Sequence, residues 1–273
     1  MQSLTATAIE KIPTRPPMCL ILFALDAHPY YPLVLAANRE ERHARATAPM
    51  APWAGDPDLI AGRDLEAGGT WLGLHRSGRF AAITNMREGI PTTAGLRSRG
   101  DLTRDFLQGQ LAASEYAMRV YADRAHYAGF NLLIGDGNGL WYCGSAAMPR
   151  PLESGIYGLS NGLLDTPWPK VVRGKAALAD VIAGGPTPST LLALLRDRST
   201  PPDHELPDTG IGIDMERTLG SCFIVGEEYG TRASTALLID RSGNTQAHEQ
   251  NFGPGGRELG LQQHTLKLAH PPC

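Results

Sequence analysis

The 273-residue chain is short of several things, and each shortage narrows what it can be. Cysteine is scarce: Cys19, Cys143, Cys222 and Cys273 lie far apart and form no C-x-x-C pair. That spacing is neither a disulfide framework nor a zinc-ligand set, and it suits a reducing compartment. No apolar run approaches the roughly 18 residues needed to cross a bilayer, so no membrane span is expected. A formal net charge of −3 gives no electrostatic ground for a nucleic acid or an anionic membrane as partner. The eight histidines are scattered without metal-ligand spacing, and neither a metal nor a cofactor is expected from the residues themselves. Internal repeats and low-complexity tracts are absent.

What remains is an ordinary globular composition, 42% hydrophobic and 19% charged, long enough to bury a full core. Lys11 and Arg15 precede an apolar run, which imitates a signal peptide. However, Asp26 and His28 interrupt that run and no small-x-small cleavage site follows. Residues 1–17 therefore read as a disordered extension rich in Thr and Pro, with a cytoplasmic protein as the expectation. One domain is expected over residues 18–256, followed by a tail over 257–273.

Two short apolar runs open the domain. Cys19 to Leu25 and Pro32 to Ala37 have strand length and are joined by a polar turn, Asp26 to Tyr31. The second run ends in Asn38-Arg39-Glu40-Glu41, so a hairpin would bring Cys19 beside Arg39. A guanidinium favours the thiolate, although most free cysteines are simply small hydrophobes in a core.

Further along, Ala46 to Pro57 reads as an extended surface loop. Leu59 to Gly62, Thr70 to His75 and Arg79 to Asn85 read as strands, the last two joined by a turn at Arg76-Ser77-Gly78. Four strands without a crossover helix argue for antiparallel pairing. Helices are expected over Asp101 to Gln108, opened by a Ser98/Asp101 capping box, and over Glu115 to Arg124. Strands follow at Phe130 to Gly135, Leu140 to Cys143 and Ile156 to Ser160. Next come helices over Lys170 to Ala183 and from Thr187-Pro188 to about Arg198. Ser199 to Gly212 is a Pro- and Asp-rich connection, and the last hairpins are Cys222 to Gly226, Thr231 to Asp240 and Thr245 to Phe252. This order fits two packed antiparallel sheets with helices outside, or a single mixed α+β sheet.

Several motifs occur in a recognisable order. They are Met18-Cys19-Leu20-Ile21, Asn38-Arg39-Glu40-Glu41, Ala61-Gly62-Arg63-Asp64, Gly68-Gly69-Thr70-Trp71-Leu72-Gly73, Thr84-Asn85, Tyr157-Gly158-Leu159-Ser160-Asn161, Leu164 to Val171 and Thr231 to Thr235. Together they resemble the NRDE family, which includes transport and Golgi organisation proteins, over about residues 18 to 252. Glu40 stands where the family commonly has Asp, and the 17-residue leader departs from a family whose cysteine is usually the second residue.

The resemblance implies an α+β fold, a four-layer αββα sandwich like that of the N-terminal nucleophile hydrolases. It also implies a cysteine amidohydrolase acting on a linear amide through a Cys19 acyl-enzyme. Such an enzyme needs a free α-amino group at Cys19, whose pKa of roughly 7.7–8 suits a general base. Either Met18 is then the true start or the leader is cleaved. In this reading Cys19 is the nucleophile, Arg39 and Arg232 are the cations of the site, and Glu41 orients the amine or Arg39. Asn85 donates to an oxyanion, an interaction worth about 3–4 kcal/mol when well aimed, and Asn161 makes a second such contact. Asn38, Trp71 and Trp168 would contact substrate.

The alternative implied by the family is a non-catalytic protein that handles haem or lipid, with haem as ligand. Each residue also has a plainer role open to it. Asparagines at strand ends satisfy turn backbone groups, Arg–Glu neighbours form surface ion pairs, and tryptophans line cores. Cys143, Cys222 and Cys273 read as inert.

Overall fold

In the computed structural model, residues 19–87 and 96–272 are described; the leader, Met18 and Cys273 lie outside them. The chain begins with β1 (Cys19–Leu25) and β2 (Leu33–Arg42), a hairpin, then crosses to a second sheet. There it lays down β3 (Thr47–Trp53), β4 (Asp56–Asp64), β5 (Leu72–His75) and β6 (Phe80–Asn85). Helices α1 (Arg99–Gln108) and α2 (Ala113–Ala122) follow. Strands β7 (Phe130–Asp136), β8 (Gly139–Gly144) and β9 (Ala147–Pro151) complete the second sheet. The chain returns through β10 (Gly155–Leu159) to the first sheet and adds α3 (Pro169–Ala183), α4 (Pro188–Leu194) and α5 (Ile213–Leu219). It ends with β11 (Tyr229–Ile239), β12 (Asn244–Phe252) and β13 (Glu258–Lys267).

Both sheets are antiparallel throughout. Their orders are β10-β1-β2-β11-β12-β13 and β3-β4-β5-β6-β7-β8-β9. Alternation along each strand explains the layering, because successive side chains leave opposite faces. From β1, Ile21, Phe23 and Leu25 meet Leu72, Leu74, Phe80 and Leu133 of the second sheet in the central core. From the same strand Leu20, Leu22 and Ala24 turn outward to Val171 and Leu178 of α3 and Leu191 of α4. On the other flank, Leu102, Phe106, Tyr116 and Val120 of α1 and α2 cover Ala81, Leu132 and Ile134. The result is the four-layer αββα sandwich.

Several local expectations are corrected. Ala46 to Pro57 is not a loop: it holds β3 and the start of β4, an edge hairpin whose Pro49 and Pro52 suit a position that donates few ladder bonds. β9, with Pro149 and Pro151, is the opposite edge of that sheet. The segment after residue 256 is not a tail, since β13 pairs with β12 along its length. The capping box at Ser98 does not form, because the Asp101 carboxylate pairs with Arg104 at 2.7 Å. By contrast, Thr187 and Thr190 make a reciprocal cap, and that helix stops at Leu194.

Candidate functional site

The site lies at the end of the sandwich where β1 starts and β2 finishes. Cys19 and Arg39 are direct partners in the hairpin register, as expected. Odd-numbered residues here face the opposite sheet, so Cys19, Arg39 and Glu41 follow Ile21 and Ala37 into the space between the sheets. That space is a cavity of about 420 Å³, lined among others by Cys19, Arg39, Glu41, Trp71 and Asn85. The Arg39 guanidinium lies 4.3 Å from the Trp71 ring centroid. Its Nη2 is 3.8 Å from Glu41 Oε2, and its buried Nη1 has no hydrogen-bond partner.

Gly62 leaves room for the Trp71 ring of that stack, and Gly69 leaves room for the neighbouring helix start. A Cβ on Gly62 would sit 2.2 Å from the Trp71 indole, and one on Gly69 would sit 2.4 Å from the Gly100 backbone. The second contact brings the start of α1 against the 68–71 turn and sets Arg99 at the cavity wall.

Asn161 holds the start of β1 in place. Its Oδ1 accepts from the Cys19 backbone N–H at 3.4 Å and from the Ser160 hydroxyl at 3.2 Å. Its Nδ2 donates to the Asn85 carbonyl at 2.7 Å, so one side chain ties the two sheets together beside Cys19. The 160–162 loop is itself pinned to the second sheet, since Asn131 Nδ2 donates to the Gly162 carbonyl at 2.9 Å and Thr84 Oγ1 to the Ser160 carbonyl at 2.7 Å.

The Cys19 thiol departs from the thiolate that Arg39 alone would favour. Burial pushes its pKa up to about 12, with Glu40 adding to the rise and Arg39 only partly opposing it. The guanidinium is also shared with Glu41 and Trp71, which spends part of its field elsewhere. Burial raises Cys143 and Cys222 to about 12 as well. Those two lie within the helix–sheet layers, whereas Cys19 opens on the large cavity. What separates Cys19 is therefore access and neighbours, not acidity.

Three expected residues, Asn38, Trp168 and Arg232, lie outside the large cavity, and Asn161 sits beside Cys19 with its amide already engaged. Asn38 points to the helix side, where Nδ2 donates to the carbonyls of Leu195 and Cys222 at 3.0 and 2.9 Å and Oδ1 accepts from Ser234 at 2.6 Å. Trp168 caps the start of α3, with the Arg87 guanidinium 5.0 Å from its ring. Asn161 does not line the large cavity, and its amide already serves the Asn85 carbonyl. Arg232 borders a second cavity of about 190 Å³ across Arg39 and Trp71, where it donates to the carbonyls of Arg42 and Arg45.

Three arginines were not anticipated: Arg45, Arg97 and Arg99 all line the large cavity. Arg45 is neutralised locally by Asp64 at 2.8 Å and Glu66 at 3.1 Å. Arg99 donates to the Gly129 carbonyl at 3.0 Å, and burial lowers its pKa. Arg45 sits in the connection from β2 to β3, whereas Arg97 and Arg99 enter the site through tertiary folding of α1 onto the turn at Gly69, which no motif marks.

Comparison with known proteins agrees with the motif pattern. The Transport and Golgi organisation 2 family profile matches residues 18–254. Transport and Golgi organization protein 2 homologues of Bos taurus and Homo sapiens are each 33% identical over 259 residues, covering 86% of this chain and 93% of theirs. The Drosophila melanogaster protein of that name is 30% identical, covering 82% of this chain and 88% of its own. Among solved structures, the Caenorhabditis elegans N-acylethanolamine-hydrolyzing acid amidase ortholog superposes with a TM-score of 0.48 at 11% identity, covering 81% of this chain and 92% of that one. On the sequence matches, the chain belongs to the Transport and Golgi organisation 2 family.

Proposed function

We propose that this chain is an amidohydrolase that cleaves a linear C–N amide bond through a thioester on Cys19, once Cys19 carries a free α-amino group. The observation that carries the proposal is the position of Cys19: first residue of β1, opposite Arg39, on a cavity of about 420 Å³, with its backbone nitrogen held by Asn161.

A thiol raised to about 12 does not attack as a standing thiolate, so it needs a base at hand. The α-amino group of the same residue supplies one, with a pKa of roughly 7.7–8. The amine takes the thiol proton as sulfur bonds to the substrate carbonyl carbon. The oxyanion that forms is met by the Asn85 side chain, which lines the same cavity. Collapse breaks the C–N bond as the ammonium returns its proton to the departing nitrogen. Water, deprotonated by the amine, then attacks the thioester and releases the acid and the thiol. Arg39 orients the carbonyl end of the substrate, with Glu41 fixing the guanidinium. Asn161 Oδ1 holds the nitrogen at the position where the amine must work.

The proposal predicts that chain carrying residues before Cys19 is inert. Chain whose first residue is Cys19, verified by intact mass and N-terminal sequencing, should hydrolyse members of an acyl-amide panel and give an acyl adduct on Cys19. If that form yields neither turnover nor adduct across the panel, the hydrolase reading is wrong. The haem- or lipid-handling alternative predicts saturable binding of haemin or acyl lipid to both forms instead.

A further inference from the structure

We propose that the Cys19 cavity holds an oxyanion subsite, formed by Arg39, Arg97 and Arg99, that takes the carboxylate or phosphate group of the ligand. This rests on the site described above but not on hydrolysis itself. The charges around the cavity are unequal. Arg39, Arg45, Arg97 and Arg99 line it, against Glu40, Glu41 and Asp64. Of the acids, Asp64 is taken by Arg45 at 2.8 Å, and Glu41 lies 3.8 Å from both Arg39 and Arg45. Glu40 faces the helix layer, where burial holds its carboxyl above the usual range and works against its charge. Among the described residues, Arg97 and Arg99 form no ion pair, in contrast to Arg45, although the Glu41 charge reaches Arg99 from farther off.

The second observation is an unmet donor. Arg39 is only 7% exposed, yet its Nη1 is buried with no hydrogen-bond partner. A buried guanidinium N–H left unpaired costs more than a neutral one, and an acceptor carrying negative charge is its strongest partner. Arg99 has one terminal nitrogen on the Gly129 carbonyl, and burial makes its charge less favourable than in water. Arg97 is exposed at the rim, packed over the Tyr127 ring at 5.0 Å. An oxyanion entering here would meet Arg97 first, then give Arg99 a charged acceptor and draw the buried Nη1 of Arg39 out to the cavity. An uncharged amide could accept one such hydrogen bond through its carbonyl but would compensate none of the charge.

Calorimetric titration of Cys19→Ala protein with matched probes tests this without any turnover. The carboxylate probe is N-hexanoylglycine against its neutral glycinamide counterpart. The phosphate probe is the phosphate monoester of N-hexanoylethanolamine against the free alcohol. At least one anion should bind about tenfold or more tighter than its neutral partner. Arg99→Gln should bring that ratio to within about threefold, and Arg97→Gln should lower it with less effect on the fold. Arg104→Gln, on the same helix but paired outside the cavity with Asp101 and Asp105, should leave the ratio unchanged. Which arm binds tells carboxylate from phosphate. Equal affinity within both pairs, a preference untouched by Arg97→Gln and Arg99→Gln, or no saturable binding of any probe would overturn the subsite. Anion preference in a protein that never hydrolyses amides keeps the subsite and removes the hydrolase reading. Hydrolysis without anion preference does the reverse.

Discussion

The two faces of β2 carry the same short run to opposite ends. Arg39 and Glu41 face the other sheet and border an open cavity, while Asn38 and Glu40 face the helices. Each face leaves one buried polar atom of the run without a hydrogen-bond partner, Arg39 Nη1 on the cavity side and Glu40 Oε2 on the helix side. On the helix side Asn38 uses both ends of its amide on Leu195, Cys222 and Ser234. Completed hydrogen bonding stabilises, and a buried polar atom left unpaired costs free energy on whichever face it lies. The strand's period of two thus gives Asn38 to the helix packing and Arg39 and Glu41 to the cavity wall.

The sharpest way to break that division compares two cysteines. In chain starting at Cys19, Cys19→Ala should lower turnover by about 10³-fold or more, down to background, with the melting temperature kept. Cys222→Ala, on the helix face with its thiol donating to the Leu195 carbonyl at 3.4 Å, should change turnover by less than about twofold. Equal losses in the two variants would mean that the faces are not functionally distinct.

The next comparison reverses the sign of the readout. Asn38→Ala leaves two carbonyls and a buried hydroxyl short of a partner, and should cost about 2–4 kcal/mol in denaturant unfolding. Arg39→Met gives up the Trp71 stack and the long Glu41 contact, and should cost about 1 kcal/mol while reducing turnover by about 10²-fold. Should Asn38→Ala prove the more harmful to catalysis at fixed folded fraction, Asn38 would belong to the site after all.

These contrasts also show what a sequence can tell. The Cys19–Arg39 contact was legible because a hairpin register needs only two apolar runs and a turn. The strands Leu72–His75, Phe80–Asn85 and Phe130–Asp136 were legible from apolar content bounded by turns. The edge strands β3 and β9 were hidden, since proline and half-exposed residues resemble loop, and β13 alternates too weakly to stand out. Side-chain direction was the main loss within the site. Nothing local tells whether Asn38 or Arg39 faces the cavity until the opposite sheet is known. Arg97 and Arg99 come from a helix start whose approach depends on Gly69 meeting Gly100. Likewise the thiol's acidity depends on burial, which outweighs the neighbouring guanidinium and cannot be read from adjacency.

The smallest expected effect probes Glu40, the member of the run that the cavity lining shares with the helix layer. Burial raises its pKa above the ordinary 4.5, and Lys170 and the Thr231 hydroxyl only partly oppose this. The folded chain therefore keeps a proton that the unfolded chain loses above about 4.5. Stability from this group is full below that pH and is lost as pH rises toward the folded value. Lys170, held below 10.5 by burial, works the other way at higher pH, which confines the Glu40 slope to the acidic and neutral range. Glu40→Gln keeps the shape and removes the titration, so unfolding free energies between about pH 5 and 7 should fall more steeply with pH in the native protein than in the variant. Parallel slopes would place an ionised Glu40 in the folded state throughout. Its negative charge would then stand beside the Cys19 thiol and make the α-amine more necessary to the reaction, not less.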